Sequence, residues 1–191
     1  MAESEQATLP SDVTPARFFE ELLPMGFAAQ AEGAQPQSEV TLKFVVTGDQ
    51  GGTWVAKIAG GQMTTTKGDA PADISITVSE TDWRDAVLQR NGATLGLLLP
   101  QRRPDRPDNT ARVKTLKGTI VQELARDGGD PFKVELSFGG AAQPRCTIKM
   151  KLPEFLDMQT GKLNGQEAFM TGKLKFEGDL GFLMQISAVV V

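Results

Sequence analysis

Residues 146–186 read CTIKMKLPEFLDMQTGKLNGQEAFMTGKLKFEGDLGFLMQI, from Cys146 to Ile186. Cys146, Ile148, Met150 and Leu152 alternate with Thr147, Lys149 and Lys151. That period of two predicts a strand with one buried face. Pro153 ends the strand and suits the first turn of a helix, where the missing N–H costs nothing. The helix carries Phe155, Leu156 and Met158. Gly161-Lys162-Leu163-Asn164 and Ala168-Phe169-Met170 follow. A second alternating strand has Leu174 and Phe176 between Lys173, Lys175 and Glu177. Gly178-Asp179 makes a turn, and Asp179 is placed to cap a last, mostly apolar helix from Leu180.

The order of these pieces is specific as a set: TIKMKLPEFLDM, then GKLNGQEAFMTGKLKFEGD, then the apolar helix. It resembles the sterol carrier protein 2 family, most closely over residues 128–187, with a partial echo over 40–92. One departure is Gly165, where the family usually has proline after the asparagine. The resemblance implies an α+β fold, a mostly antiparallel sheet covered by helices, with an apolar cavity between the two. It also implies binding, and transfer between membranes, of a fatty acid, acyl-CoA, phospholipid or sterol, without chemistry on the ligand. The side chains it points to are Phe155, Leu156, Met158, Phe169, Met170, Phe176, Leu180, Phe182, Leu183, Met184 and Ile186. From periodicity alone, simple core packing explains the same residues, since most apolar stripes are core.

Composition narrows the alternatives. The 191 residues are 40% hydrophobic and 23% charged, ordinary for a globular chain. Net charge is −4, against the basic excess of proteins that bind nucleic acid through phosphates. There is no histidine and no tyrosine. Catalysis or metal binding would therefore fall to carboxylates, Lys, Ser, Thr or the single cysteine, Cys146. Cys146 lies in the inward phase of a strand and reads as a small buried hydrophobe. The acidic pairs Glu20-Glu21, Asp127/Asp130 and Glu154/Asp157 read as solvated surface. No metal, cofactor or catalytic group is expected. One cysteine fits a reducing compartment. The polar, acidic start, MAESEQATLPSD, is unlike a signal peptide, and Ala188-Val189-Val190-Val191 is unlike a peroxisomal address, so a cytoplasmic location is expected.

Upstream, residues 1–13 are expected to be disordered. Thr14-Pro15 reads as the cap and first residue of a helix whose stripe is Phe18, Phe19, Leu22 and Leu23, limited by Pro24. Such a helix packs on the sheet or over a tunnel mouth. Residues 28–38 form a polar connector. Leu42, Phe44 and Val46, then Trp54, Ala56 and Ile58, then Ile74, Ile76 and Val78 mark strands, with a short one over Met63–Thr66. Ser79 caps a helix carrying Trp83, Val87 and Leu88. Residues 93–99 suit a short helix. Residues 100–112, with three prolines and four arginines, are a loop. Arg102, Arg103, Arg106 and Arg112 are its basic cluster, an exposed loop or a contact for anionic headgroups. A strand is expected from Val113 to Leu124, and another through Phe132, Val134, Leu136 and Phe138.

The chain is thus expected to form one sterol-carrier-like domain over 14–191. A partial internal duplication, 40–99 and 113–187, would be joined by the loop 100–112. ISITVSETDWRDAVLQRNG and TIKMKLPEFLDMQTGKLNG then align, with Trp83 opposite Phe155. Expected partners are a lipid or other hydrophobic small molecule, a transient contact with a membrane surface, and no nucleic acid. Oligomeric state is open. The rival readings are a protein-interaction or scaffold module with a filled core, and a lipid-acting enzyme using carboxylates or Cys146.

Overall fold

In a computed structural model, residues 9–30, 39–99 and 109–190 are described. Eight strands form one sheet: β1 (Val40–Thr47), β2 (Gly52–Ala59), β3 (Gln62–Lys67), β4 (Ile74–Ser79), β5 (Gly118–Ala125), β6 (Phe132–Phe138), β7 (Arg145–Lys151) and β8 (Lys175–Gly178). Their spatial order is β3-β2-β1-β4-β6-β5-β7-β8. The sheet is mixed and mostly antiparallel. β1–β4 and β5–β7 are parallel, and the other pairings are antiparallel. Both parallel pairs arise the same way. A strand turns back through a hairpin, and the chain returns on its other side, so β2-β1-β4 and β6-β5-β7 have the same order and sense.

The alternation read from the sequence sets the two faces. Leu42, Phe44, Trp54, Ala56, Ile76, Val134, Ile120, Cys146 and Ile148 point to one side and are buried. The other side is mostly polar, and over the last four strands it is laced with ion pairs. Glu123 meets Lys133 at 3.1 Å, Lys149 meets Glu177 at 2.9 Å, and Arg145 meets Glu135 at 2.7 Å. Exposed pairs of this kind contribute about 0–1 kcal/mol each. Their larger role is to keep an eight-stranded face wettable.

Helices cover the apolar face. α1 (Pro15–Arg17), a π-helical turn (Phe18–Leu22) and α2 (Leu23–Gln30) form one continuous segment, opened by Thr14, whose hydroxyl accepts from Arg17 N. Pro24 does not end it. The Leu23 N–H reaches back to Phe18 O, and this wider turn re-phases the backbone just where proline would otherwise break the regular ladder. Order also starts before Thr14: Val13 is fully buried, and its N–H bonds Pro10 O. Residues 1–8 of the expected disordered segment lie outside the described residues, as do 31–38 of the connector.

α3 (Glu80–Val87) follows β4 directly, with Ser79 Oγ accepting from Asp82 N at 3.1 Å. A 3₁₀ turn, Leu95–Leu97, stands where the apolar run 93–99 suggested a short helix. Arg102, Arg103 and Arg106 lie outside the described residues. The strand expected from Val113 starts later. α4 (Thr110–Val113) is a helical turn closed by the Thr115 hydroxyl on Arg112 O, and pairing begins at Gly118, opposite Phe138.

α5 (Leu152–Gln159) follows β7 as α3 follows β4. α6 (Gly165–Met170) starts at Asn164, whose side chain accepts from Gln166 N at 2.8 Å. Gly165 is thus the first helical residue, a position that proline also suits, which accounts for the departure from the family pattern. α7 (Leu180–Val190) is capped as expected, Phe182 N donating to Asp179 Oδ1 at 2.7 Å. It presses close to the sheet at Gly118, where an added Cβ would lie 2.7 Å from the Phe182 ring.

Candidate functional site

The candidate site lies between β5, β6, β7 and β8 and the helices α5, α6 and α7. β7 feeds α5 without a loop, so Leu152 and Phe155 turn back onto the sheet and are buried. Asp179 starts α7 immediately after β8, and Phe182, Ile186 and Val189 form its buried stripe. Phe182 meets Phe138 edge-on, with ring centroids 6.4 Å apart.

The residues singled out from the sequence separate into three groups. Phe155, Phe182 and Ile186 are core. Leu156, Met158, Phe176 and Leu183 are partly buried and pack against that core. Phe169, Met170, Leu180 and Met184 are outward, at 52, 77, 51 and 66% exposure. Leu180 and Met184 are one helical turn apart on the same face of α7. Phe169 leans on Phe176 at 5.7 Å and so joins the outer group to the partly buried one.

Two further residues of this layer were not singled out from the sequence. Leu136 and Gln122 point to the helix-covered face of the sheet's middle strands, yet both are only partly buried. Their neighbours on that face, Ile76, Ile120, Leu124 and Val134, are buried. On the two central strands β5 and β6, these are the inward residues that keep partial solvent contact. The signal in the sequence was the phase of Gln122, which falls between Ile120 and Leu124 in an otherwise apolar register.

Charged groups gather elsewhere. Two open clefts, of about 660 and about 430 Å³, flank α3 and the β5–β6 turn. Asp49, Glu80, Arg84 and Arg90 line the first, and Asp82, Asp85, Asn91 and Arg126 the second. Their charges largely neutralise each other. Arg126 donates to Asp82 Oδ1 and Asp85 Oδ2, both at 2.7 Å, and Arg84 pairs with Glu80 at 3.1 Å. The Gln50 N–H on the Glu80 carboxylate, with Arg84 beside it, holds that carboxyl below its usual range. Such clefts offer nothing to an acyl chain. Glu20 accepts from the Trp54 indole at 2.9 Å and so helps seat the N-terminal helices. Among the described residues no three side chains converge as metal ligands. Cys146 is buried on the inward face, and burial, with the Asp179 carboxylate as a smaller cause, pushes its thiol up. A thiol held protonated is a poor nucleophile.

The comparison with known families turns on this same region: residues 95–191, half of the chain, match the SCP-2 sterol transfer family. The chain belongs to the SCP-2 sterol transfer family. The match covers β5 to β8 and α4 to α7. Over 74 residues the chain is 36% identical to peroxisomal multifunctional enzyme A of Dictyostelium discoideum, covering 39% of this chain and 17% of that protein. Over 41 residues it is 49% identical to sterol carrier protein 2 of Homo sapiens, covering 22% of this chain and 8% of that one. The chain thus matches less than a fifth of the length of either relative. Among solved structures, the sterol carrier protein domain 2 of Helicoverpa armigera aligns over 91% of this chain and 83% of that one, with 15% identity and a TM-score of 0.29. SCP-2 membership agrees with the resemblance carried by GKLNGQEAFMTGKLKFEGD. No helix among the described residues is long and apolar enough to cross a membrane.

Proposed function

We propose that this chain binds a hydrophobic ligand between the sheet and the helices of its second half, and carries it without reacting with it. Fatty acids, acyl-CoA, phospholipids and sterols are the candidate ligands. The observation that carries the reading is the partly accessible pair Leu136 and Gln122, set among buried residues on the inward face of the central strands, inside the region that matches the family. Phe155, Leu156, Phe176, Phe182, Leu183 and Ile186 surround this layer and would line the chain of the ligand. Each methylene moved from water into it contributes about 0.8 kcal/mol before ordering costs. A long chain is then held with little polar recognition, so selectivity for chain type is broad.

A non-catalytic role is supported by the raised Cys146 thiol and by carboxylates committed to ion pairs. Two relatives bear enzyme names, but the matched segment is a small share of each. The reading for this segment is that it supplies binding. The outward residues Phe169, Met170, Leu180 and Met184 would meet a membrane surface during loading, with Lys173 and Lys175 beside them on the chain. For the first half a scaffold reading has its own support, because its apolar face is filled by aromatic rings.

Native mass spectrometry of gently purified protein tests the reading, together with displacement of a fluorescent long-chain acyl probe. Lipid masses that copurify, or saturable displacement, are expected. A clean apoprotein mass with no probe binding sinks the carrier reading and leaves the scaffold.

A further inference from the structure

The inward face of β5 carries one polar side chain. Gln122 sits between Ile120 and Leu124 on its own strand, opposite Val134 of β6 and Ile148 of β7. All four neighbours are apolar and buried. The Gln122 Oε1 atom is itself buried and accepts no hydrogen bond from any described residue. Buried polar atoms nearly always have a partner, so an orphan acceptor in a strand centre calls for a cause. The residue as a whole remains partly accessible, as does Leu136, its diagonal neighbour across the β5–β6 pair. Both lie with at least two strands beyond them on either side, where closure by helices should be most complete.

We propose that Gln122 is the polar anchor of the ligand site. Its Oε1 accepts a hydrogen bond from the headgroup of an amphiphile that enters over Leu136, and the preferred headgroup is a neutral donor, a hydroxyl. This rests on the ligand-binding reading above and narrows it. A hydroxyl satisfies the orphan oxygen and brings no charge. A carboxylate has no proton to donate at neutral pH, and its charge would be desolvated among Ile120, Leu124, Val134 and Ile148, with no cation among them. A hydrocarbon or an ether leaves the oxygen unpaired. Long-chain primary alcohols are therefore favoured over fatty acids and acyl-CoA. The amide contributes discrimination between headgroups, while the chain contributes most of the affinity.

The test compares 1-hexadecanol, hexadecyl methyl ether and hexadecanoate, titrated against the full chain by native mass spectrometry. The wild type should bind the alcohol about tenfold more tightly than the ether, the size of one well-made buried hydrogen bond. In Gln122→Leu the two should bind alike, with the ether unchanged. Gln122→Met serves as a second apolar variant. Both should melt no lower than the wild type, since each removes an unpaired buried amide oxygen. Equal binding of alcohol and ether by the wild type overturns the anchor and leaves the carrier reading standing, and so does an alcohol preference that survives in both variants. Tighter binding of hexadecanoate than of the alcohol overturns the headgroup assignment. Variants that both melt well below the wild type show that the amide serves the fold instead. No binding of any of the three fails the carrier reading and the anchor together.

Discussion

The triplets β2-β1-β4 and β6-β5-β7 pair in the same order and the same senses, and each ends in a helix that follows its last strand directly. Trp83 and Phe155, aligned in the sequence, are both buried at corresponding places on those helices. The filling above the two triplets differs. Over the first, the N-terminal segment drives Phe18 and Phe19 into the sheet. Phe19 lies 4.8 Å from Phe44 and 4.9 Å from Trp54, and Phe18 meets Trp83 at 5.8 Å. Over the second, α5 and α7 bring Phe155, Phe182 and Ile186, and Leu136 and Gln122 on the inward sheet face are only partly buried. One strand arrangement therefore carries two different fillings, an aromatic cluster over the first triplet and an aliphatic and aromatic layer with two partly buried residues over the second. What decides between them is the covering segment, not the sheet.

The largest expected effect comes from breaking the aromatic cluster. Phe19→Ala deletes a fully buried ring shared by Phe18, Phe44, Trp54 and Trp83, and should cost about 4 kcal/mol in urea unfolding. A loss below about 1 kcal/mol would mean that this ring cluster does not hold the first half together. Arg126→Ala comes next. The Arg126 guanidinium, on the β5–β6 turn, holds Asp82 and Asp85 of α3, and Lys133 N also donates to Asp82 at 3.2 Å. Both carboxylates are buried, and stranding them should cost about 3 kcal/mol. If equilibrium unfolding is instead unchanged, this link does not join the halves.

Cys146 gives a smaller, pH-dependent effect. Its raised pKa means that folding favours the neutral thiol. That contribution is whole below the ordinary thiol value of 9.0 and is lost as pH rises through the raised value. Above pH 9.0 the wild type should lose melting temperature faster than Cys146→Ala; parallel curves for the two would contradict the burial of the thiol. The smallest effect is at the outer face of α7. Met184→Asp should change stability by no more than about 0.5 kcal/mol, because the side chain is exposed. It would separate surface contact from core packing in a way that Phe182→Asp, which buries a charge, cannot. A large loss at Met184 would place it in the core of the second half.

Much of this architecture was legible because it is local. The caps at Thr14, Ser79, Asn164 and Asp179 need only a side chain and a backbone N–H two or three residues on. The strands announce themselves by alternation, since one face is apolar and the other is wet. Some local readings still failed. Pro24 looked like a stop, and a π-helical turn carried the helix past it. Val113 looked like a strand start because it is β-branched and follows a polar run, but the chain turned once more before pairing. In both cases a hydrogen bond to the preceding turn outweighed residue preference.

The sequence by itself determined the strands, their inward faces, the capped helices and membership of the SCP-2 family, because each rests on residues near one another along the chain. Only the tertiary structure decided which strands lie side by side, with β1–β4 and β5–β7 parallel and β4 joined to β6. It alone brought Arg126 to Asp82 and Asp85, and Phe19 to Trp54. It alone showed that the register of β5 leaves the Gln122 Oε1 atom buried without a hydrogen-bond partner. Those outcomes depend on which distant segments meet, and the free energy of such meetings is shared among side chains that no local pattern links.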